Sequence, residues 1–83
     1  MNTFAKLIDK YRKNNDLSFR GFAAEINTYL PDNFGLSYSH WHSIYRGAYL
    51  PDYYSAWYLA YAASGWVRDF AKEMVKALEG ADE

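Results

Sequence analysis

An all-helical domain of five short helices is the fold class this sequence predicts, and three observations lead there. Apolar residues recur at the i, i+3, i+4, i+7 spacing of a helical stripe in one segment after another. Small hydrogen-bonding residues stand just ahead of those segments, where a helix has free amides to satisfy. Glycine or Asn-Asp groups close them, and the chain holds only two prolines. Its 83 residues make one small domain, with 51% hydrophobic residues arguing for a packed chain. We expect that domain to span 1–79, ahead of a frayed acidic tail at 80–83. A domain of this size buries a modest fraction of its surface, so its stability should be modest unless it oligomerises.

The first helix is expected over Thr3 to Lys13, where Phe4, Leu7, Ile8 and Tyr11 form the stripe, and Asn14-Asn15-Asp16 breaks it. Ser18 caps the second, which turns Phe22, Ala23 and Ile26 inward and reaches Thr28 or Tyr29. An extended turn follows from Thr28 to Gly35, started by Pro31-Asp32, with Tyr29, Leu30 and Phe34 folding back onto the core. The third helix occupies 37–46. Ser37 caps it, Trp41 and Ile44 anchor one face, Gly47 supplies a left-handed stop and Pro51 blocks continuation. The fourth opens at Asp52 and ends near Ser64-Gly65. With Ala56, Leu59, Ala60 and Ala63 inward, Tyr54, Tyr58 and Tyr61 fall on the opposite side. The fifth, Trp66 to Glu79, buries Val67, Phe70, Ala71, Met74 and Leu78 and keeps Asp69, Lys72, Glu73 and Lys76 outside.

Composition excludes several classes of function. The chain has no cysteine, which removes disulfides and thiolate-bound metals and is compatible with a reducing cytoplasm, the expected location. No basic region followed by an apolar run opens the sequence, and no apolar stretch approaches the roughly eighteen residues a membrane span needs. His40-Trp41-His42 is a poor metal site, because residues two apart on a helix point about 200° away from each other. There is no glycine-rich phosphate loop and no nucleophile-base signature, so neither an enzyme nor a cofactor is expected.

What remains is a surface. With Trp41 and Ile44 inward, Ser39, His42, Ser43 and Arg46 share the outer arc of the third helix. Such an arc is either a solvated helix face or a reading head for a DNA major groove. Serine and neutral histidine can both donate and accept, and arginine clamps phosphate or guanine with two parallel bonds. The net charge of −1 works against tight phosphate binding, although it is unevenly spread. Residues 1–50 carry +2 and residues 51–83 carry −3.

The order Leu17-Ser18, Phe22-Ala23, Leu36-Ser37, Trp41, Ile44, Gly47, Pro51 and Leu59-Ala60 resembles the Cro and phage-repressor (lambda repressor-like) helix-turn-helix family over about residues 4 to 65. Gly47 to Pro51 is the most specific part. The resemblance implies a sequence-specific DNA-binding transcriptional regulator, acting as a homodimer, whose recognition helix is 37–46. It places Tyr38, Ser39, His42 and Ser43 at base edges. Arg46, from the same resemblance, and Arg20, Ser37 and Tyr49, from their chemistry and position, are candidates for the DNA backbone. The chain departs from the pattern at Phe19, where relatives often have a phosphate-gripping glutamine, and at Ala48-Tyr49-Leu50, where they often have lysine or arginine.

A second expectation comes from the fourth helix. Tyr54, Tyr58 and Tyr61 are either covered by the fifth helix or exposed as an aromatic protein-docking surface. In the latter case the scaffold would serve as a protein-interaction adaptor or inhibitor, of the kind phages and mobile elements use.

Overall fold

Hydrogen-bonding side chains at four helix starts set the frame of the computed structural model, which describes residues 2–31 and 37–80. The helices are α1 (Thr3–Asn14), α2 (Phe19–Asn27), α3 (Tyr38–Tyr45), α4 (Tyr53–Ala62) and α5 (Gly65–Gly80). Asn2, Ser18, Ser37 and Asp52 each accept a hydrogen bond from an amide three residues on, at 2.8 to 3.1 Å. Each such cap contributes about 1 kcal/mol by satisfying a donor the helix itself leaves free. No strand occurs among the described residues, and no described helix is long and apolar enough to cross a membrane.

Two helices close in the same way. After α1, Leu17 N–H donates to Arg12 O at 2.9 Å and Asp16 N–H to Lys13 O at 3.2 Å. After α3, Ala48 N–H donates to Ser43 O at 2.9 Å and Gly47 N–H to Ile44 O at 3.1 Å. This paired closure requires a left-handed residue, which is Asp16 (φ 55°) in the first case and Gly47 (φ 83°) in the second. Glycine adopts that conformation freely, and aspartate is among the few other residues that tolerate it.

The inward residues are largely those the spacing predicts. Phe22, Ala23 and Ile26 of α2, Trp41 and Ile44 of α3, and Val67, Phe70, Ala71 and Met74 of α5 are all buried. Phe22 lies edge-on to both Trp41 and Phe70, with ring centroids 5.7 and 5.2 Å away, and so joins α2, α3 and α5. Ser55, Ala56 and Leu59 carry the buried side of α4, continued by its C-cap Ala63, and α4 packs along α5. Leu30 is buried and Tyr29 half-buried against the core, while Phe34 lies outside the described residues.

Several details differ from the spacing argument. Leu7 and Tyr11 are only half-buried, and Ala5 takes the inner position on α1. Ala60 and Leu78 are also half-buried, and Val75 is buried in addition to the predicted set, because α5 is covered by α4 on one side and α1 on another. At the boundaries, α2 stops at Asn27, Ser37 and Arg46 flank α3 as caps, and α5 takes in Gly65 and Gly80, the latter expected in the tail.

The α1–α5 contact carries a polar cluster at its edge. Tyr11 donates its phenol proton to Glu73, and Lys10 Nζ approaches both carboxylate oxygens at 3.2 Å. The Tyr11 bond, helped by Lys10 and opposed by partial burial, holds the Glu73 carboxyl below its ordinary range. Burial, and then the Glu73 bond, push the Tyr11 phenol from 10.0 up to about 12. A phenol whose pKa is raised on folding stabilises the protein below its unfolded value, and that contribution is lost as pH climbs through the folded one. Tyr11→Phe should therefore cost about 1 kcal/mol near neutral pH. Between pH 10.0 and about 12 the wild type should lose stability faster than the variant. Denaturant titrations across that window would check this, and a constant difference between the two would contradict it.

Candidate nucleic-acid interface

α3 is short, with eight residues, and three sets of contacts fix its orientation. Trp41 and Ile44 are sunk in the core. At its C-terminal end, Asn2 Nδ2 donates to Tyr45 O at 3.3 Å while the same side chain caps α1. Tyr45 then donates its phenol to Asp9 of α1 at 2.9 Å, a bond that, together with burial, raises the Tyr45 pKa. The third set belongs to Phe19 at the start of α2. Its ring sits edge-on to Tyr38, His42 and Tyr45, at 5.5, 5.5 and 5.4 Å. Edge-to-face contacts of this kind add of the order of 1 kcal/mol each beyond the area they bury. Phe19 is thus the strut between α2 and α3.

The side of α3 turned away from Trp41 and Ile44 faces solvent, with Tyr38 and His42 bordering it where they meet the Phe19 ring. Tyr38, Ser39, His42, Ser43 and Arg46 line one shallow depression of about 290 Å³. Four of them are exposed and Ser43 is half-buried. The predicted base-reading residues and Arg46 therefore form one continuous polar surface. Arg20, the next residue after the strut, is exposed, and its guanidinium lies 4.5 Å from the Tyr38 ring centroid. That cation–π contact places its charge at the edge of the depression without neutralising it. Neither Arg20 nor Arg46 is in an ion pair among the described residues.

The remaining backbone candidates divide. The Ser37 hydroxyl already accepts from His40 N–H at 3.1 Å, which leaves its proton free to donate outward and one lone pair to accept. Tyr49 is exposed and stacks on His40, with ring planes 12° apart and centroids 5.9 Å. This pair flanks α3 on the side away from Arg20, as the helical spacing of 38 and 40 requires.

A second surface lies on α4. Tyr54 and Tyr61 are 81% and 84% exposed and Tyr58 is 38%, so α5 does not cover the tyrosine stripe. Sequence reasoning missed its neighbours: Trp57, 50% exposed, and Tyr53 belong to the same outer face. Between α4 and α5, Trp57, Ala60, Tyr61, Lys72 and Val75 line an apolar groove of about 340 Å³. The missed signal was that residues 53–62 contain no charged side chain at all. A helix apolar on all sides normally has all sides covered.

No protein-family model, curated protein sequence or solved structure matches this chain.

The strut can be tested directly. Phe19→Ala should destabilise the fold by about 2 kcal/mol, less than a fully buried phenylalanine because its ring is only partly enclosed. It should also move the ring-proton resonances of Tyr38 and His42 toward their unfolded values while those of Trp41 stay dispersed. Unchanged Tyr38 and His42 resonances would show that Phe19 does not hold the arc.

Proposed function

We propose that this protein is a sequence-specific DNA-binding regulator that inserts the outer arc of α3 into a major groove. The observation that carries the reading is the depression lined by Tyr38, Ser39, His42, Ser43 and Arg46 on a helix capped at its start, stopped at its end and braced on its inner side. A major groove admits one helix, and a braced helix loses little freedom on entering it. Ser39, His42 and Ser43 supply donors and acceptors for base edges, and Tyr38 offers a hydroxyl and a ring face for a thymine methyl. Arg46 and Arg20, both exposed, would take the phosphates flanking the helix, with the Ser37 and Tyr49 hydroxyls as supplementary donors. The base-edge roles and that of Arg46 are those the resemblance to the Cro and phage-repressor family implies; those of Arg20, Ser37 and Tyr49 rest on their chemistry and position.

The modest charge sets the expected strength. Two arginines at phosphates give a salt slope near −1.8 per monomer, or about −3.6 for a pair bound to a two-fold site. The half-sites of such a pair would lie about 34 Å apart, or a multiple of that. The solvent exposure of the aromatic face of α4 favours a second reading, in which the protein acts by docking through Tyr54, Tyr58 and Tyr61.

Selection from a pool of random duplex DNA at about 50 and 200 mM salt separates the two. The DNA reading predicts an enriched two-fold sequence and, for a pair, a loss of the order of 100-fold in affinity between the two salt concentrations. Arg46→Ala should weaken all sequences and flatten the slope by about one per monomer, whereas Ser43→Ala should change which sequence is enriched. No retention at the lower salt would overturn the DNA reading.

A further inference from the structure

The aromatic face of α4 has a shape that constrains its occupant. Tyr53, Tyr54, Trp57, Tyr58 and Tyr61 together leave on the order of 600 Å² of aromatic surface exposed, taking about 200 Å² for each ring side chain. That is at the upper limit for the largest patch of an ordinary monomer, and most of the roughly 800 Å² that each partner contributes to a stable interface. Leu50, also exposed, lies in the loop leading into α4.

The face also carries its own complement. A two-fold interface presents the same patch twice, so it must contain both a projection and the recess that receives it. Tyr54 is the projection. The recess is the groove between α4 and α5, walled by Trp57 and Tyr61 and floored by Ala60 and Val75, with Lys72 at its rim. The projection lies toward the N-terminal end of α4 and the recess toward its C-terminal end. Two copies in parallel would set Tyr54 against Tyr54 and leave both recesses empty. Antiparallel copies, crossing between residues 57 and 58, set Tyr54 of each against Tyr61 and the groove of the other.

Charge and dipole agree with this register. α4 itself has no charged residue to repel its own copy, the Glu79 carboxylate of α5 beside it accepts from the Tyr53 hydroxyl at 3.1 Å, and antiparallel helices place opposite ends of their dipoles together. Lys72 is in no ion pair among the described residues, so its ammonium is available to the entering tyrosine ring or hydroxyl.

We propose that the occupant of this face is a second copy of the chain, packed as an antiparallel, two-fold pair of α4 helices in which Tyr54 of each fills the α4–α5 groove of the other. The pair forms without DNA, so its test is separate from that of the DNA reading.

Sedimentation equilibrium of the full chain, without DNA, measures the pair directly. The wild type should convert from monomer to dimer at micromolar concentrations. Tyr54→Lys and Tyr61→Lys, at exposed positions, should each remain monomeric at concentrations at least 100-fold higher, with unchanged circular dichroism. A monomeric wild type at about 1 mM would overturn the proposal, as would lysine variants that dimerise like the wild type. The register has its own test, because the natural chain contains no cysteine. An equimolar mixture of Tyr54→Cys and Tyr61→Cys should oxidise mainly to the mixed disulfide. Preferential joining of each variant to itself would overturn the antiparallel arrangement.

Discussion

The edge-on seating of Phe22 between Trp41 and Phe70 is the contact on which the rest of this molecule depends. It brings together residues from α2, α3 and α5, all three nearly inaccessible to water, and these rings are among the largest fully buried side chains. An edge-to-face pair is stable only over a limited range of angles, so it fixes rotation as well as separation. For a helix as short as α3 this matters more than intrinsic propensity, since eight residues would not hold a helical conformation alone. Once Trp41 and Ile44 are turned in, the outward positions of Ser39, His42, Ser43 and Arg46 follow from helix geometry. The polar arc is in this sense a consequence of the core.

The same chain shows how a small domain distributes an aromatic excess. Phenylalanines 4, 22 and 70 go inside, where they need no hydrogen bond. Tyr11 and Tyr45, half-buried, find carboxylates in Glu73 and Asp9. Tyrosines 49, 54 and 61 stay largely in water. Two outward surfaces of different chemistry result: a polar, arginine-flanked arc on α3 and an uncharged aromatic face on α4. The first suits an anionic, hydrogen-bonding partner and the second an apolar one, which is why the two proposals divide between them without competing for residues.

Much of this was legible in the sequence because it depends on local rules. Ser18, Ser37 and Asp52 could be recognised as caps, and Gly47 as a stop, from the residue types that satisfy free amides and tolerate a left-handed backbone. Burial of Phe22, Ala23, Ile26, Trp41 and Ile44 followed from helical period alone. What depends on contacts between distant residues was not legible. Nothing local distinguishes Phe19 as a strut for three α3 side chains, or Asn2 as a link from the α1 cap to the end of α3. Val75 and the α4–α5 groove depend on which helix lies alongside which, and period alone carries no such information. Exposure of the tyrosine stripe was undecidable for the same reason.

The central claim is that the arc of α3 is the surface that meets DNA. The most direct measurement is a residue-resolved NMR titration of isotope-labelled protein with mixed-sequence duplex at low salt. The account predicts that signals of Ser39, His42, Ser43 and Arg46, with Arg20 beside them, shift or broaden, while those of the outer face of α4 do not. Duplex that leaves the α3 signals unmoved, or moves only those of α4, would contradict it.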